Sequence, residues 1–548
     1  MRALVLRLLY DVTVLPARYG SRRLAVIALP HVLALAVMLA TESSITAMAA
    51  FLLAWGIFNF VAIALTRRPL FAGLVSLTLM MLLVLLSQLK YHVLMMTANF
   101  VDLMIVDTDT VSFLFTIFPG LKIAVALSVA ALVPLLICAW RFDRLRARRS
   151  VAAFSALACL GGLIALETHF PLAPFEAFYG GNLVSSFARS GVDAIAELMT
   201  HGLMRSDAIA GERLQPFADK CRPTAPPPHI ILIHDESSFD IRMAPGIKVP
   251  RGYGAHFKSF DGKQRDFLVE GNGGPSWFTE YNVLAGLSAR SFGRFAYFVT
   301  RIAAGRVNRG LPAALQHCGY RTFSLYPALG AFMSARSFQA TTGVQRFYDQ
   351  HDLGARDLER DSFFFNAAAR MIGEQRAHGP MFLFVYLAAN HFPWDHRYRP
   401  DLMTEWQDLG NVPPVDEYLR RQAMSAKDYA EFRARLKREF PNDAFLIVRF
   451  GDHQPDFAAS LIDPTLDDDG IAQRLMAYDP RYFTTYYAID AINFTPVDTS
   501  SALGTLEGPY LPLVVQEAAG LPLDPSFAEQ KKILLRCKGL FFGCANGT

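Results

Sequence analysis

Three apolar, strand-like runs of the sequence end in residues that bind metal ions and move protons. The runs read HIILIHDE, MFLFVYLAANH and AFLIVRFGDH. Carboxylate oxygens and imidazole nitrogens are ligands for divalent cations, and a histidine beside an aspartate at a strand end supplies two of them. The residues that close these runs are Asp235, Glu236, Asn390, His391, Asp452 and His453.

Each of these endings also has a purely structural interpretation. An acidic pair after a strand is usually a solvated turn, and a GDH triplet is common in loops. His391, two residues before Pro393, is equally compatible with a turn histidine bonded to backbone. Three such endings on separate runs, together with a glycine-rich turn that carries a hydroxyl, favour a metal and nucleophile site.

The glycine-rich turn is EGNGGPSWFTEYNVLAGL, residues 270–287. Ser276 stands where a helix N-cap would, with Thr279 and Glu280 in the first helical turn. The same position suits a nucleophile, because the helix dipole and free backbone N–H groups hold an anionic phosphate there. We predict Ser276 rather than Thr279 as the nucleophile, with the glycines giving a phosphate room to approach the backbone.

The elements that must position these residues are short apolar runs separated by helix-like segments such as SFFFNAAARMIGEQRA. This alternation predicts an α/β domain over residues 229–548 with a largely parallel central sheet. In such sheets the site lies beyond the carboxyl ends of the strands. An amphipathic linker region over 170–228 ends in the proline-rich KCRPTAPPPH, which favours extended backbone and marks the domain boundary.

The N-terminal part is far more apolar than the rest of this 548-residue, 52% hydrophobic chain. Its apolar runs lie near the length of about 17 to 25 residues that a membrane-spanning helix needs. They also lack the polar face of a buried helical bundle. We predict an α-helical membrane domain of five spans within residues 1–169. The runs cover 24–39, 45–65, 70–89, 121–140 and 151–166.

Basic residues fall in alternate loops between these runs. Such residues mark the cytoplasmic side, so everything after Leu166 is predicted to lie outside. The same clusters account for most of the formal charge of +4, so the composition calls for no nucleic-acid partner. The N-terminal segment lacks the pattern of a removable signal peptide. The clusters comprise Arg2, Arg7, Arg18, Arg22, Arg23, Arg67, Arg68, Arg141, Arg144, Arg146, Arg148 and Arg149.

The five-span region followed in order by HDESSF, GNGGPSWFTEY, NHFPW and GDHQP is similar to one known family. It resembles the lipoteichoic-acid synthase and membrane phosphoglycerol transferase branch of the alkaline phosphatase and sulfatase superfamily, over nearly the whole chain. The resemblance implies a multi-pass protein of the bacterial inner membrane with a periplasmic catalytic domain. It also implies one divalent metal ion, manganese first with zinc or magnesium behind it, held by Glu236, Ser276, Asp452 and His453.

The same resemblance implies a reaction. Ser276, in the place usually taken by threonine, would accept a phosphoglycerol-type head group from a membrane phospholipid, phosphatidylglycerol in this branch. The acceptor would be a glycan or lipid such as a periplasmic glucan. His391 matches the family's substrate-contacting histidine and is the candidate group for proton transfer or orientation of the acceptor.

One stretch departs from the family pattern. Where members carry an aromatic residue and an arginine, the segment YPALGAFMSARSFQATTG places Met333 and Ala335, with Arg336 one residue further on. We expect either that Arg336 contacts the phosphate or that the head group differs. The alternatives are phosphoethanolamine transfer and a hydrolase of phosphodiesterase or sulfatase type.

The cysteines divide between the two predicted regions. Cys138 and Cys159 lie in spans, whereas Cys221, Cys318, Cys537 and Cys544 lie in the external part, where an oxidising compartment permits disulfides. Among these, the sequence predicts Cys537 with Cys544 as the close pair.

Overall fold

The computed structural model describes residues 21–541 and 544, apart from 95, 107–110, 112–113, 116–117, 119, 173–180, 201, 203–220, 222, 224–225, 308 and 357. The chain divides near residue 203 into two compact units, one helical and one built on a sheet. Much of the predicted linker over 170–228 lies outside the described residues.

The helical unit holds the apolar runs of the sequence. Four of its helices are long and apolar enough to cross a membrane, and a fifth has a shorter apolar part, Ala25–Thr41. The protein is therefore a membrane protein, and the predicted spans appear as helices at their predicted places. The helices are α1 (Ser21–Thr41), α2 (Ile45–Thr66), α3 (Pro69–Leu94), α4 (Phe100–Met104), α5 (Leu121–Phe142), α6 (Arg149–His169) and α7 (Leu183–Thr200).

The helix α7 lies inside the predicted linker but packs with the spans, against α2, α3 and α6. Polar contacts fix it there. Arg189 Nε donates to Glu167 Oε2 across 2.7 Å, and both side chains are buried. The Glu42 carboxylate accepts from Val184 N at 3.1 Å. The helical unit therefore extends past the predicted span boundary at residue 169.

The second unit contains an eight-stranded, mostly parallel sheet in the order β4-β3-β5-β1-β6-β7-β2-β8. Only β7 runs antiparallel to its neighbours, β6 and β2. The predicted α/β fold is thus confirmed, with two short strands, β4 and β8, that the sequence pattern did not indicate. The strands are β1 (His229–Asp235), β2 (Arg265–Leu268), β3 (Arg321–Leu325), β4 (Arg346–Tyr348), β5 (Met381–Tyr386), β6 (Phe445–Gly451), β7 (Thr484–Ile492) and β8 (Thr505–Glu507).

The centre of the sheet places three polar strand ends side by side. Strand β1 lies between β5 and β6 and is parallel to both, with His234 beside Tyr386 and Asp235 beside Gly451. Each of the three strands is almost wholly buried, so their apolar runs have no alternating polar face. The residues that follow them in sequence therefore meet at one edge of the sheet.

Helices cover this sheet and complete its core. On one face, α13 and α14 pack their aromatic and aliphatic side chains, including Phe365 and Phe432 stacked at 4.6 Å, onto Ile231 and Ile233 of β1. The helices of this unit are α8 (Ser276–Ala285), α9 (Val299–Ala303), α10 (Leu311–His317), α11 (Ala335–Thr342), α12 (Gln350–Leu353), α13 (Asp361–Gln375), α14 (Pro413–Glu439), α15 (Ala458–Ile462), α16 (Asp468–Met476), α17 (Pro480–Phe483), α18 (Leu511–Ala518) and α19 (Pro525–Arg536).

Two disulfides close loops in the second unit. Cys537 is bonded to Cys544, as the sequence predicts. Cys221 is bonded to Cys318, a pair separated by 97 residues that the sequence did not reveal. Cys138 and Cys159, in the helical unit, are free thiols.

Candidate active site

The predicted residues at the strand ends form one buried cluster. His453 Nε2 lies 3.1 Å from Ser276 Oγ, 3.3 Å from Glu236 Oε1 and 3.5 Å from Asp452 Oδ2. The Ser276 hydroxyl donates to Glu236 Oε2 at 3.3 Å. The structure thus brings together the four predicted metal-site residues, which we call the nucleophile cluster: Glu236, Ser276, Asp452 and His453.

Backbone contacts fix the orientation of this cluster. His453 Nδ1 lies 2.8 Å from the carbonyl oxygen of Gln454, which directs Nε2 toward Ser276. Asp452 Oδ1 accepts from the backbone N–H groups of Ser237 and His453, at 2.7 and 2.8 Å. The Ser237 hydroxyl donates to Glu236 Oε1 at 2.8 Å. Each acidic group therefore keeps at least one oxygen pointed into the cluster.

Ser276 begins the helix α8 and is not its cap. Pro275 occupies the N-cap position, and the Ser276 hydroxyl contacts Glu236 and His453 instead of a backbone N–H of the first turn. The expectation of an N-cap serine is therefore wrong. The turn before it needs glycine for a conformational reason, because Gly273 and Gly274 have φ of 69° and 153°.

Thr279, the other hydroxyl of this helical turn, has a different role. Its side chain is fully buried and donates to the carbonyl oxygen of Asp452 at 2.6 Å. This bond ties the first turn of α8 to the end of β6. Ser276, which the sequence predicts as the nucleophile in preference to Thr279, is thus the hydroxyl of this turn that contacts Glu236 and His453.

Two further residues of the cluster's surroundings were missed by sequence reasoning. The Tyr386 hydroxyl donates to Glu236 Oε2 at 2.9 Å, and its ring stacks on His234 with centroids 3.8 Å apart. His234 Nε2 lies 3.0 Å from Asp452 Oδ2, and His234, Glu236 and Asp452 form a group able to hold a metal ion. The signal for His234 was present, because residues two apart on a strand share a face.

Asp235, in contrast, points away from the nucleophile cluster. It lies on the other side of β1, where it accepts from Tyr486 and lies 3.0 Å from His256 Nε2. Asn390 is buried near the cluster, and its amide donates to Ser237 O at 3.4 Å. Strand alternation therefore separates two acidic neighbours that the sequence placed at one edge.

The other two predicted substrate contacts lie on a loop, His391, and in the first turn of α11, Arg336. His391 is half-buried after β5, with Nδ1 2.8 Å from the carbonyl oxygen of Phe392. The Arg336 guanidinium is held by Asp349 and Asp352, each at 2.8 Å. The contacts of Arg336 thus join α11 to the segment from β4 to α12.

The cluster has the charge balance of a cation site. Among the described residues, the ion-pair partners of Glu236 and Asp452 are histidines. Burial alone would lower the pKa of His453, but the charges of Asp452 and Glu236 outweigh it and raise the pKa to about 9. Burial likewise opposes ionisation of Glu236, yet the hydrogen bond from His453 and the nearby histidine charges depress the pKa of that carboxyl below its usual range.

The donor atoms fit a divalent metal ion. Asp452 Oδ2 accepts no well-aligned hydrogen bond from the described residues, although it is fully buried. An unsatisfied carboxylate oxygen beside a second carboxylate, an imidazole nitrogen and a hydroxyl is a mixed oxygen and nitrogen ligand set. A cation here would replace the proton on His453, which otherwise balances the negative charges of Glu236 and Asp452.

Comparison with known proteins finds a family match that includes Asp452 and His453 of the nucleophile cluster. Residues 279–484 match the family model for sulfatases. No curated protein matches the sequence.

The solved structures that resemble the chain are distant in sequence. One is the lipoteichoic acid synthase LtaP from Listeria monocytogenes, 16% identical over 55% of this chain and 74% of that one, with a TM-score of 0.42. The phosphoglycerol transferase GacH from Streptococcus pyogenes is 13% identical over 59% and 84%, with a TM-score of 0.45. The lipooligosaccharide phosphoethanolamine transferase EptA from Neisseria meningitidis is 12% identical over 89% and 98%, with a TM-score of 0.44.

Proposed function

We propose that this chain, which carries a sulfatase-family domain beside membrane-spanning helices, is a metal-dependent phosphotransferase of the bacterial inner membrane. It moves a phosphoglycerol-type head group from phosphatidylglycerol to a periplasmic glycan or lipid. The observation that carries the proposal is the contact of Ser276 Oγ with both Glu236 and His453 at the start of α8. A hydroxyl beside an imidazole and a carboxylate is the arrangement of an activated nucleophile.

The proposed metal ligands are Glu236, Ser276, Asp452 and His453, with His234 able to join them through Nε2. We favour manganese, with zinc and magnesium as alternatives. A bound divalent cation supplies charge neutralisation to the phosphate oxygens and lowers the pKa of a coordinated hydroxyl. Tyr386 and Ser237 hold the Glu236 carboxylate in place for this role.

In the proposed first step, Ser276 Oγ attacks the phosphorus of the phospholipid in line with the oxygen of diacylglycerol. A new bond forms between Ser276 Oγ and phosphorus, and the bond between phosphorus and the diacylglycerol oxygen breaks. The proton of the serine hydroxyl is lost, and diacylglycerol leaves as an alcohol after gaining one proton. The head group remains on Ser276 as a phosphodiester.

In the proposed second step, a hydroxyl of the acceptor attacks the same phosphorus. His391, on the loop after β5, accepts the proton of that hydroxyl as the new oxygen–phosphorus bond forms. The bond to Ser276 Oγ breaks, and the serine regains a proton. The place of His391 after the end of β5 supports this role, because β5 pairs with β1, the strand that Glu236 follows.

The sulfatase match raises a second candidate, a sulfate or phosphate ester hydrolase. Sulfatases of this superfamily convert a cysteine or serine within a C/S-x-P-x-R motif to formylglycine. The sequence SWFTE after Pro275 lacks both that proline and that arginine. This difference favours an unmodified serine nucleophile and transfer of a phosphoryl group.

The test is the mass of the full-length protein after incubation with labelled phosphatidylglycerol in manganese-containing liposomes. We expect a glycerophosphoryl adduct on Ser276 that is lost in Ser276→Ala and retained in Ser276→Thr, which keeps the hydroxyl. An adduct on another residue, or one that persists in Ser276→Ala, would disprove the assignment. Diacylglycerol release at the same steady rate with and without a glycan acceptor would identify a hydrolase instead.

A further inference from the structure

His391 lies on a long loop that connects the strand β5 to the helix α14. The loop leaves β5 after Tyr386, runs over residues 387–412 and returns as the helix α14, which begins at Pro413. The segment is irregular apart from turns, and many of its side chains are exposed. Such a loop needs contacts from outside itself to hold one side chain at a fixed position.

One buried arginine supplies these contacts to the first half of the loop. The Arg421 guanidinium, on α14, donates to the carbonyl oxygens of His391 at 2.7 Å, Pro393 at 2.8 Å and His396 at 3.3 Å. Only 1% of Arg421 is exposed. Three loop carbonyls therefore converge on one planar cation, with the carbonyl of His391 itself at the shortest distance.

The neighbouring arginine holds the second half of the loop. Arg420 donates to the carbonyl oxygen of Leu402 at 3.0 Å and also to that of Tyr398. The Glu417 carboxylate is 2.7 Å from Arg421 Nε and 2.9 Å from Arg420 Nε, so one buried acid compensates both cations. Glu417 Oε1 also accepts from Tyr398 N at 3.0 Å. Two adjacent arginines thus hold two different parts of one loop.

The geometry of Arg421 requires an arginine. Its fork of N–H groups bonds a carboxylate and several carbonyls in fixed directions, whereas a lysine has one compact cationic centre on a flexible stem. Burial of a charged side chain is costly unless its hydrogen bonds are complete. A buried arginine that donates hydrogen bonds to the carbonyl of His391 and to its neighbours therefore fixes that stretch of backbone.

We propose that Arg421 is the positioning residue for His391, and that it acts on the discharge of the covalent intermediate to the acceptor. The proposal rests on the function proposed above, because it concerns the second step of that reaction. Among the described residues, Arg421 donates to Glu417 and to the loop carbonyls, and none of these belongs to the nucleophile cluster. Its loss should therefore leave the attack by Ser276 largely unchanged.

The test separates the two steps in the full-length enzyme. Adduct formation on Ser276 is measured without an acceptor, and its discharge is measured after a glycan acceptor is added. We expect Arg421→Ala to slow discharge about a hundredfold, the size expected when a reacting group is displaced by about 1 Å, and to change adduct formation by less than about threefold. Arg421→Lys should recover only part of the loss.

Arg420→Ala is the matched control, because it removes a buried arginine from the same helical turn and from the same Glu417 partner. It should leave discharge within about threefold of the wild type. The double variant Arg421→Ala with His391→Ala should discharge no more slowly than His391→Ala alone, since both changes remove proton transfer by a correctly placed His391. Equal slowing of adduct formation and discharge, equal defects in the two arginine variants, or additive losses would each overturn the proposal.

A second readout does not depend on activity. Backbone hydrogen exchange over residues 391–396 should rise in Arg421→Ala and stay unchanged in Arg420→Ala, which should instead loosen residues 398–402. If the wild type forms no adduct on Ser276, the proposed function fails and the claim about discharge fails with it. If the adduct forms but exchange over 391–396 is unchanged in Arg421→Ala, the positioning role alone fails.

Discussion

The two sides of strand β1 deal with buried acids in different ways. On one side, Glu236 and Asp452 of the nucleophile cluster are paired with histidines. On the other side lies a group that we call the rear network, consisting of Asp235, His256, Arg449, Tyr486 and Asp490. There Arg449 Nη2 lies 3.4 Å from Asp490 Oδ2, and Arg433 Nη1 lies 3.4 Å from Asp490 Oδ1.

This difference distinguishes a site from a structural network. In the rear network, Asp490 faces two permanent cations, Arg449 and Arg433. Asp235 accepts from the Tyr486 hydroxyl at 2.5 Å and pairs with His256, and against the effect of burial the charge of Arg449 helps to lower its pKa. The protein therefore supplies permanent positive charge on this side. The acids of the nucleophile cluster are balanced only when a histidine holds a proton or a cation binds. Two neighbours in sequence, Asp235 and Glu236, therefore belong to the rear network and to the proposed metal site respectively.

The largest expected effect comes from breaking the nucleophile cluster. Glu236→Gln removes one negative charge from the proposed metal ligands at nearly constant shape. We expect manganese binding to weaken and transfer to fall about a thousandfold, because the metal's charge neutralisation is worth several kcal/mol to the reaction. Manganese titration by calorimetry and head-group transfer in liposomes measure the two effects. Unchanged manganese affinity would contradict the ligand assignment.

Asp235→Asn is the matched change on the other side of the strand. It removes the same charge one residue away, where it takes the carboxylate from His256 and Tyr486 while Arg449 keeps Asp490. We expect the free energy of unfolding to fall by about 3 kcal/mol, as for other broken buried pairs, while manganese affinity stays within about threefold of the wild type. Urea unfolding of the full-length protein in detergent, at fixed manganese concentration, measures the free energy of unfolding. A loss of metal binding as large as that of Glu236→Gln would show that the two sides are not separate.

The sequence predicted the strand ends well, because buried parallel strands are continuous apolar runs that stop where the polar residues begin. It did not predict which side each polar residue takes, and so it grouped Asp235 with Glu236 and omitted His234. Strand alternation contains that information only when the burial of one face is known. The position of Ser276 depended on the conformation of the glycine turn, which residue types alone leave open.

Contacts between residues distant in sequence were beyond the same reasoning. Cys221 and Cys318 are joined because a segment before β1 meets the end of α10, and nothing in either local sequence indicates this. Arg421 lies 30 residues from the carbonyl oxygen of His391 and looks like an ordinary helix-surface residue in RRQAMSAK. Only the fold of the loop over α14 gives these residues their roles.

A third buried acid, Glu270, is expected to give the smallest effect, a change in how stability depends on pH. Glu270, the first residue of the glycine-rich turn, accepts from three neutral donors among the described residues: Asn282 Nδ2 at 2.8 Å, Ala289 N at 2.7 Å and the Ser288 hydroxyl. Burial raises the pKa of Glu270 to about 7 despite these bonds. This acid therefore keeps its own proton up to a higher pH than usual, although the charge of Arg290 acts in the opposite direction.

The sign of the resulting pH dependence follows from this raised pKa. Between the unfolded pKa of 4.5 and the folded value of about 7, the folded state holds a proton that the unfolded state has lost. The contribution of Glu270 is therefore complete below the unfolded pKa and is lost as the pH rises, by about 2 kcal/mol between about pH 5 and pH 7. Glu270→Gln, which keeps an oxygen for Asn282 and Ala289, should remove this part of the slope. Urea unfolding of both proteins across this range measures the difference, and parallel curves would show that Glu270 is ionised in the folded protein.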